Sequence, residues 1–318
     1  MKILAADIGG TNSRFAIVEL SGLADIAMSE PVIFPTWSDA LESFDHLLQH
    51  YSDNRPAGTP DVDQFDALAI AIAGAVSGQR ATLPNLPWDI DLSLSRPLEN
   101  VFLLNDFFAQ AHGFMDPGVF DRIDLVRSGS AIGPGSIAIV GAGTGLGHAA
   151  LKPLGGDRIV ISSEAGHATL AFHGARERAA EAAMLKRTGK TWLSGDSVVS
   201  GSGAALLHEA LTGKTVSPAE ALKKGQVESE TCSLYSRFYA RVCRNYCLTM
   251  FPVEALVISG GVAAKNPHLI ASDSFFEEFN DGLSYRHILE RIPIYLNRDE
   301  AMGLKGAAIH AWKELTVR

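Results

Sequence analysis

The sequence predicts an α/β protein with two lobes, each built on a mixed sheet with flanking helices. The chain has 318 residues, which is more than a single domain usually contains. Apolar, strand-like segments alternate with helical patterns along it. Two of these segments run into glycine-rich turns, one near the N-terminus and one in the middle of the chain. We expect a small lobe at residues 1–112 plus 299–318 and a large lobe at residues 113–298.

The first lobe is expected to open on three strands, Ile3–Ala6, Arg14–Leu20 and Ala24–Phe34, which form an antiparallel meander. A helix follows over SDALESFDHLLQHY, with Ser38 as its cap, because the apolar residues of this segment fall on one face. The apolar runs FDALAIAIAGAV and NVFLLNDF predict two buried strands, and the second leads into a helix over FFAQAHGF.

The second lobe is expected to begin with a strand from Ser136 and to continue with strands through Ser162. Mostly helical sequence follows from Arg176 to Phe251, and EALVISGGV predicts another strand. The C-terminal segment GLKGAAIHAWKEL has helical spacing and returns to the first lobe. Its small residues permit close packing on a neighbouring element; they are Gly303, Gly306, Ala307 and Ala308.

Composition and charge restrict the classes of function. The net charge is −9 and no local Lys/Arg cluster offsets it, which argues against nucleic acid and anionic membranes as partners. No apolar stretch has the length of a membrane span, and the N-terminus lacks the pattern of a signal peptide. We therefore expect a cytoplasmic location. The three cysteines, Cys232, Cys243 and Cys247, are interpreted as buried thiols, because a zinc site has no CxxC pair or nearby histidine to complete it.

The first glycine turn has the residue types that a phosphate group requires. Asp7 stands at a strand end, Gly9 and Gly10 leave backbone N–H groups accessible, and Thr11 and Asn12 add side-chain donors. A carboxylate in this position suits hydrated magnesium. An ordinary hairpin turn explains the same residues equally well. The motif is neither a Walker loop nor a dinucleotide fingerprint.

The second glycine turn, GAGTGLG at residues 141–147, comes closer to the GxGxxG pattern. The apolar residues HAAL follow it where a dinucleotide-binding loop would open a helix. Taken alone, this turn identifies no ligand.

Two further segments carry polar side chains that suit a small hydroxylated ligand. Asp106 follows the apolar strand VFLL, where it can accept a proton from a hydroxyl group or cap the next helix. Glu164 and His167 lie in SSEAGHATLAF, whose flanks are poor helix formers, so contacts to a ligand are favoured over a di-metal helix. A plain surface loop is the alternative for that segment.

Taken in order, these segments resemble the bacterial glucokinases, members of the sugar kinase, actin and heat-shock chaperone ATPase superfamily. DIGGTNSRFAIVE resembles the first phosphate loop of that family, and PNLPW around Asn85 resembles its TNxxW segment. LLNDF resembles the catalytic strand end, and GAGTGLG the second phosphate loop. SEAGH resembles the GEGGH segment, and ISGGV the adenosine loop. The resemblance extends from residue 3 to about residue 310.

The resemblance implies two ribonuclease-H-like, actin-like lobes with the active site in the cleft between them. It implies transfer of the γ-phosphoryl group of Mg-ATP to the 6-hydroxyl of glucose, giving ADP and glucose 6-phosphate for glycolysis, and it suggests a homodimer. Phosphoryl transfer is consistent with these residues, because it requires mainly positioning and charge stabilisation. The alternatives are a kinase of another hexose or amino sugar and an actin-type nucleotide switch without sugar chemistry.

The resemblance also implies the roles of individual residues. Asp106 is the expected general base, and Asp7 is expected to hold Mg²⁺ through water. The expected sugar-binding residues are Asn85, Asn105, Asp106, Glu164, His167 and Asp196. The expected nucleotide-binding residues are Ala6, Asp7, Ile8, Gly9, Gly10, Thr11, Asn12, Gly143, Thr144, Gly145, Gly260 and Gly261. Two positions depart from the family. Asp196 replaces a glutamate, which withdraws the carboxylate by about 1.5 Å, and Ala165 replaces a glycine.

Overall fold

The structure is a computed structural model that describes residues 1–36, 41–83, 86–94, 99–130, 133–223 and 229–316. The chain forms two compact units. Unit 1 comprises Met1–Arg122 and Asp299–Arg318, and unit 2 comprises Ile123–Arg298. Each unit contains a mixed sheet with helices, so the predicted fold class is confirmed.

The described strands and helices are numbered in the order in which they follow one another along the chain. The strands are β1 (Lys2–Ile8), β2 (Asn12–Gly22), β3 (Asp25–Met28), β4 (Val32–Pro35), β5 (Ala67–Ile72), β6 (Ala75–Ser77), β7 (Arg80–Thr82), β8 (Ile90–Asp91), β9 (Val101–Asn105), β10 (Asp124–Arg127), β11 (Ser136–Ala142), β12 (Leu146–Leu154), β13 (Asp157–Ser163), β14 (Val253–Ser259) and β15 (Ile294–Leu296). The α-helices are α1 (Phe44–Asn54), α2 (Asp106–Gly113), α3 (Gly174–Thr188), α4 (Gly195–Val198), α5 (Gly201–Thr212), α6 (Pro218–Ala221), α7 (Glu230–Thr249), α8 (Gly261–Lys265), α9 (Asp273–Asn280), α10 (Arg286–Leu289) and α11 (Met302–Thr316).

The main sheets of the two units share one pattern of strand connections. In unit 1 the order is β3-β2-β1-β5-β9, with β4 also paired to β2. In unit 2 the order is β10-β15-β14-β11-β12-β13. Each sheet contains a three-stranded antiparallel meander, β1-β2-β3 or β11-β12-β13, whose first strand also pairs in parallel with a later strand, β5 or β14. The carboxyl ends of the parallel strands therefore share one edge, where ligands of α/β sheets bind.

Helices cover both faces of the unit 1 sheet. Alternate residues of β1 point to opposite sides, as strand geometry requires: Leu4 packs in a cluster with Leu47 and Leu48 of α1, and Ile3 packs with Leu304 of α11. Parallel strands buried on both faces have continuous apolar sequences, which is why all of Ala67–Ile72 is buried.

The small residues of α11 allow it to lie directly against α2. A Cβ atom on Gly306 would stand 1.8 Å from the carbonyl oxygen of Ala109, and one on Gly113 would stand 2.4 Å from Sδ of Met302. Only glycine fits such a contact between helix backbones. The predicted close packing of the C-terminal helix is confirmed.

Two predictions about the first lobe are wrong. The segment Ala24–Phe34 forms two strands, β3 and β4, because the intervening Pro31 has no backbone N–H to donate. The first helix begins later than predicted, at Phe44, and its cap is Ser43, whose hydroxyl accepts from the backbone N–H of His46 at 3.2 Å. The cap predicted at Ser38 lies outside the described residues.

Candidate active site

The turn at residues 9–12 in unit 1 is a tight connection from β1 to β2. The N–H of Gly9 donates to the carbonyl of Asn12 at 3.1 Å. The buried hydroxyl of Thr36 donates to the carbonyl of Gly9 at 2.7 Å and lies 2.9 Å from the hydroxyl of Ser13. Gly10, Thr11 and Asn12 are exposed. The hydrogen bond from Thr36 therefore supports the turn on its buried side. The opposite side, with the backbone and polar side chains of residues 10–12, is exposed to solvent.

Asp7 lies one residue before the end of β1 and is partly buried. Burial raises the pKa of Asp7 from 3.8 to about 6, although nearby Arg14 opposes the shift. Arg14 is the cross-strand partner of Asp7 on β2 and forms an ion pair with Glu300 at 2.7 Å. A carboxylate in this position would gain stability from a cation placed next to it.

Asn105 and Asp106 stand where β9 ends and α2 begins. The cap of α2 is Asn105: its Oδ1 accepts from the N–H groups of Phe107 and Phe108 at 2.9 and 3.1 Å. Its Nδ2 donates to the carbonyl of Gly74 at 3.2 Å. Asp106 is the first residue of the helix, where the helix dipole stabilises a negative charge. The capping role considered for Asp106 therefore belongs to its neighbour.

The candidate acidic groups of unit 1 lie on the same edge of its sheet. Ile8, Ile72 and Asn105 are lateral neighbours on β1, β5 and β9, because Ile8 pairs with Ile72 and Ile72 pairs with Asn105. Adjacent strands are about 4.8 Å apart, so the ends of β1 and β9 are separated by roughly 10 Å. The edge has room for a phosphate group and a hydroxyl group side by side.

The turn at residues 143–145 connects β11 to β12 in unit 2, so the segment after it is a strand, as HAAL indicated. The N–H of Gly143 donates to the carbonyl of Gly145 at 2.7 Å, and the carbonyl of Gly143 accepts from Gly201 at 2.9 Å. A Cβ on Gly143 would meet no atom within 4 Å. Open space above a glycine leaves the backbone accessible to a ligand.

The pair Gly260 and Gly261 follows β14, the parallel neighbour of β11. Gly260 has φ +86, and its Cβ would stand 2.5 Å from the carbonyl oxygen of Ala142. A Cβ on Gly261 would meet no atom within 4 Å. The two glycine turns of unit 2 therefore start side by side on adjacent strands, and each has an open position.

Glu164 and His167 lie beside the 143–145 turn. The segment Ala165–His167 is a short 3-10 helix after β13, and a Cβ on Gly166 would stand 2.0 Å from the carbonyl oxygen of Leu146. The His167 Nε2 and Glu164 Oε2 atoms are 3.6 Å apart, with side chains 67% and 76% exposed. Both side chains are accessible to a polar ligand.

Asp196 belongs to the same region of unit 2. It lies on the short helix α4, and its Oδ1 accepts from the backbone N–H of Leu146 at 2.8 Å. The same oxygen would stand 2.8 Å from a Cβ on Gly145. This side chain therefore supports the glycine turn directly, a contact that the sequence analysis did not predict.

The structure brings most of the predicted residues together within their units. In unit 1 it groups residues 6–12 with Asn105 and Asp106, and in unit 2 it groups residues 143–145, Gly260, Gly261, Glu164, His167 and Asp196. Asn85 lies outside the described residues. Sequence reasoning missed Thr36, which supports the first turn, and Tyr239, whose hydroxyl accepts from Ala142.

No cluster of three or more metal-ligating side chains occurs in the described part of the chain. The cysteines Cys232, Cys243 and Cys247 are buried thiols, as predicted. None of the helices in the described ranges combines the length and the apolar character that crossing a bilayer requires.

The chain is similar in sequence and in structure to proteins named glucokinase. A glucokinase of Trichormus variabilis is 28% identical over 97% of this chain and 98% of its own length. One of Saccharophagus degradans is 29% identical over 97% of each chain. The crystal structure of a glucokinase from an Antarctic psychrotroph has a TM-score of 0.80 at 24% identity and covers 98% of this chain and 99% of its own.

A second solved structure, the glucokinase of Balamuthia mandrillaris in complex with glucose, has a TM-score of 0.78 at 19% identity and covers 98% of this chain and 93% of its own. These likenesses identify the fold. The family model named Glucokinase matches residues 4–314. The chain therefore belongs to the glucokinase family of ATP-dependent sugar kinases.

Proposed function

We propose that this protein transfers the γ-phosphoryl group of ATP to the 6-hydroxyl of glucose, forming glucose 6-phosphate and ADP. The family match supports sugar phosphorylation, and one observation supports the choice of catalytic group. Asp106 begins a helix at the carboxyl edge of the unit 1 sheet, the same edge on which β1 leads into the 9–12 turn.

ATP is assigned to the glycine turns. The exposed N–H groups and side chains of Gly10, Thr11 and Asn12 suit terminal phosphate oxygens. The open positions at Gly143 and Gly261 suit close approach of the remaining nucleotide. The resemblance to the glucokinase motifs adds Ala6, Asp7, Ile8, Gly9, Thr144, Gly145 and Gly260 to the proposed nucleotide site.

Glucose is assigned to the polar side chains Asn85, Asn105, Asp106, Glu164, His167 and Asp196. Glu164 and His167 are exposed and 3.6 Å apart, a spacing that allows both to bind one ring. Asn105 and Asp196 are already hydrogen-bonded within the protein. Asp196 therefore contributes less to sugar affinity than a longer glutamate would.

The protein itself takes little part in the bond making and bond breaking of the chemical step. Asp106 accepts the proton of the 6-hydroxyl, the hydroxyl oxygen forms a bond to the γ-phosphorus, and the bond from that phosphorus to the bridging oxygen of ADP breaks. The remaining groups act by orienting the reactants and by excluding water as a competing nucleophile.

Magnesium fits this site only through water and phosphate oxygens. Asp7 supplies one carboxylate, and the described residues contain no cluster of three metal-ligating side chains. Mg²⁺ is typically bound by one or two carboxylates together with substrate phosphates. When bound, the ion would neutralise charge that develops on the phosphates.

A coupled assay that measures ADP release tests the proposal. We would compare glucose, mannose, fructose and N-acetylglucosamine at equal concentrations, with Mg-ATP and without sugar. We expect ADP release that depends on sugar and is fastest with glucose. Faster turnover of another sugar would indicate a different hexose kinase, and ATP hydrolysis that is indifferent to sugar would indicate an actin-type switch. The homodimer and the cytoplasmic location stay predictions.

A further inference from the structure

The hydroxyl of Tyr239 occupies the point where β11 and β14 separate into their glycine turns. It accepts a hydrogen bond from the backbone N–H of Ala142 at 3.1 Å and donates to the carbonyl of Ser259 at 3.4 Å. Ala142 is the last residue of β11, and Ser259 is the last residue of β14. One side-chain group thus touches the base of both turns.

The Tyr239 hydroxyl provides hydrogen bonds where backbone pairing between the parallel strands β11 and β14 ends. The pairing of β11 with β14 ends at Gly141 and Ser259. The next residue, Gly260, has φ +86 and lies against the backbone of Ala142, and the pairing of these two strands does not continue beyond Ser259. Buried backbone groups must be hydrogen-bonded, and the phenol satisfies one donor and one acceptor at once.

Tyr235, one helical turn earlier on α7, supports the first of these turns by a second route. Its buried hydroxyl donates to the carbonyl of Ser200 at 3.3 Å. Ser200 caps α5, and the next residue, Gly201, donates its N–H to the carbonyl of Gly143 at 2.9 Å. Residues four apart lie on one face of a helix, so both tyrosines point to the same region.

Both phenols are fully buried, and burial raises the pKa of each well above its ordinary value. They therefore stay protonated and able to donate near neutral pH. A second polar contact fixes the base of the 260–261 turn: Asn297 donates its side-chain N–H to the hydroxyl of Ser259 at 3.2 Å. Buried polar side chains, those of Tyr235, Tyr239 and Asn297, therefore support the bases of the turns.

We propose that Tyr239, with Tyr235 in a smaller role, is a positioning residue for nucleotide binding, because its hydroxyl sets the relative position of the 143–145 and 260–261 turns. The inference rests on the proposed function, since that function assigns both turns to ATP. Neither tyrosine needs to touch the nucleotide. Removing the Tyr239 hydroxyl leaves a buried N–H and a buried carbonyl with one partner fewer, and the turns can then shift.

The test is Tyr239→Phe, compared with Tyr235→Phe and with Tyr51→Phe, which removes the hydroxyl of a buried tyrosine in unit 1. We expect Tyr239→Phe to raise the KM for ATP and the Kd of ADP, measured by calorimetry without sugar, by about tenfold. The KM for glucose should stay unchanged. Tyr235→Phe should give a smaller rise, because the Ser200 carbonyl also accepts from Ala204. Tyr51→Phe should leave both nucleotide constants unchanged.

Unchanged nucleotide constants in Tyr239→Phe would overturn the inference, and so would equal rises in the KM of both substrates. If Tyr239→Phe does not fold, as judged by its circular dichroism, Tyr235→Phe carries the same test with its smaller expected effect. A wild-type protein that does not phosphorylate glucose would overturn the proposed function instead, which separates the two failures.

Discussion

The turn at residues 9–12 in unit 1 and the turn at residues 143–145 in unit 2 both follow the first strand of an antiparallel meander, but different groups support them. Thr36, 27 positions from Gly9, holds the first turn from a strand end nearby. The second turn is held by Asp196, 50 positions from Leu146, and by Tyr239, 97 positions from Ala142. The first turn is therefore supported by a residue nearer in the chain, whereas the second depends on the correct placement of helices α4 and α7.

This difference predicts that a substitution that removes the buried contacts of α7 will lower the stability of unit 2 more than any local substitution at its turns. Arg241 of α7 is 1% exposed and binds Glu177 of α3 at 2.7 Å and Glu278 of α9 at 2.8 Å. We expect Arg241→Met to lower the free energy of unfolding by about 3–5 kcal/mol, because it leaves buried carboxylates without their main partner. Urea denaturation measures the change.

The matched control for that substitution is Arg176→Met. Arg176 pairs with Glu230 at the surface, where the loss of an ion pair has little effect on stability. Equal, small losses in the two variants would show that the buried network does not hold α7 in place, and would weaken the contrast between the units.

The next largest effect is expected on catalysis rather than on stability. Asp106→Asn should lower kcat by about 10²-fold or more, as the loss of a general base does, with a smaller change in the KM for glucose. Asp273→Asn is the matched control, because Asp273 is also the first residue of a helix, α9. Near-normal turnover of Asp106→Asn would remove that residue from the proposed role.

The burial of the Asp7 carboxyl group, beside the unit 1 turn, can be tested through the pH dependence of stability. Because burial raises the pKa of Asp7 from 3.8 to about 6, the native state binds this proton more tightly than the unfolded state does. Stability from this group is present below pH 4 and is lost as the pH rises towards 6. Asp7→Asn should therefore raise the free energy of unfolding at pH 7 by about 3 kcal/mol while it lowers activity with Mg-ATP.

The measurement is the difference between wild type and Asp7→Asn in urea denaturation at pH 4 and pH 7. Other groups contribute slopes of their own: burial lowers the pKa of His112 to about 3, so its effect has the opposite sign. The difference removes these contributions. The exposed Asp63 provides the control variant, Asp63→Asn. A difference that does not grow with pH would contradict the assignment of the shift to burial.

Local patterns were sufficient to predict elements whose own residues carry the signal, even where the packing partner is distant in the chain. The buried strand Ala67–Ile72 and the close packing at Gly306 follow from apolar runs and small residues. The start of the first helix was predicted too early, because serine is a suitable cap residue at both Ser38 and Ser43 and the local pattern does not select one of them. Pro31 was the signal that should have divided the segment Ala24–Phe34.

The supports of the site were harder to predict than its motifs. Thr36 and Tyr239 have no local pattern, because their hydroxyl groups serve backbone atoms that are distant in the sequence. Asp196 was predicted from the family motif alone, which gave no indication of its hydrogen bond to Leu146. A motif identifies the residues that meet a ligand, and the residues that hold the motif in place require the three-dimensional contacts.

The smallest effect on stability is expected where the candidate groups are most exposed. Glu164→Gln and His167→Ala should each leave the free energy of unfolding unchanged, since both side chains are largely exposed. Each should raise the KM for glucose by about tenfold, as expected for the loss of a hydrogen bond with a charged or polar partner. Glu277→Gln and His287→Ala, at exposed positions elsewhere in unit 2, should change neither quantity. An unchanged KM in both test variants would reassign the segment to a structural role and leave the sugar-binding groups of unit 1 to account for affinity alone.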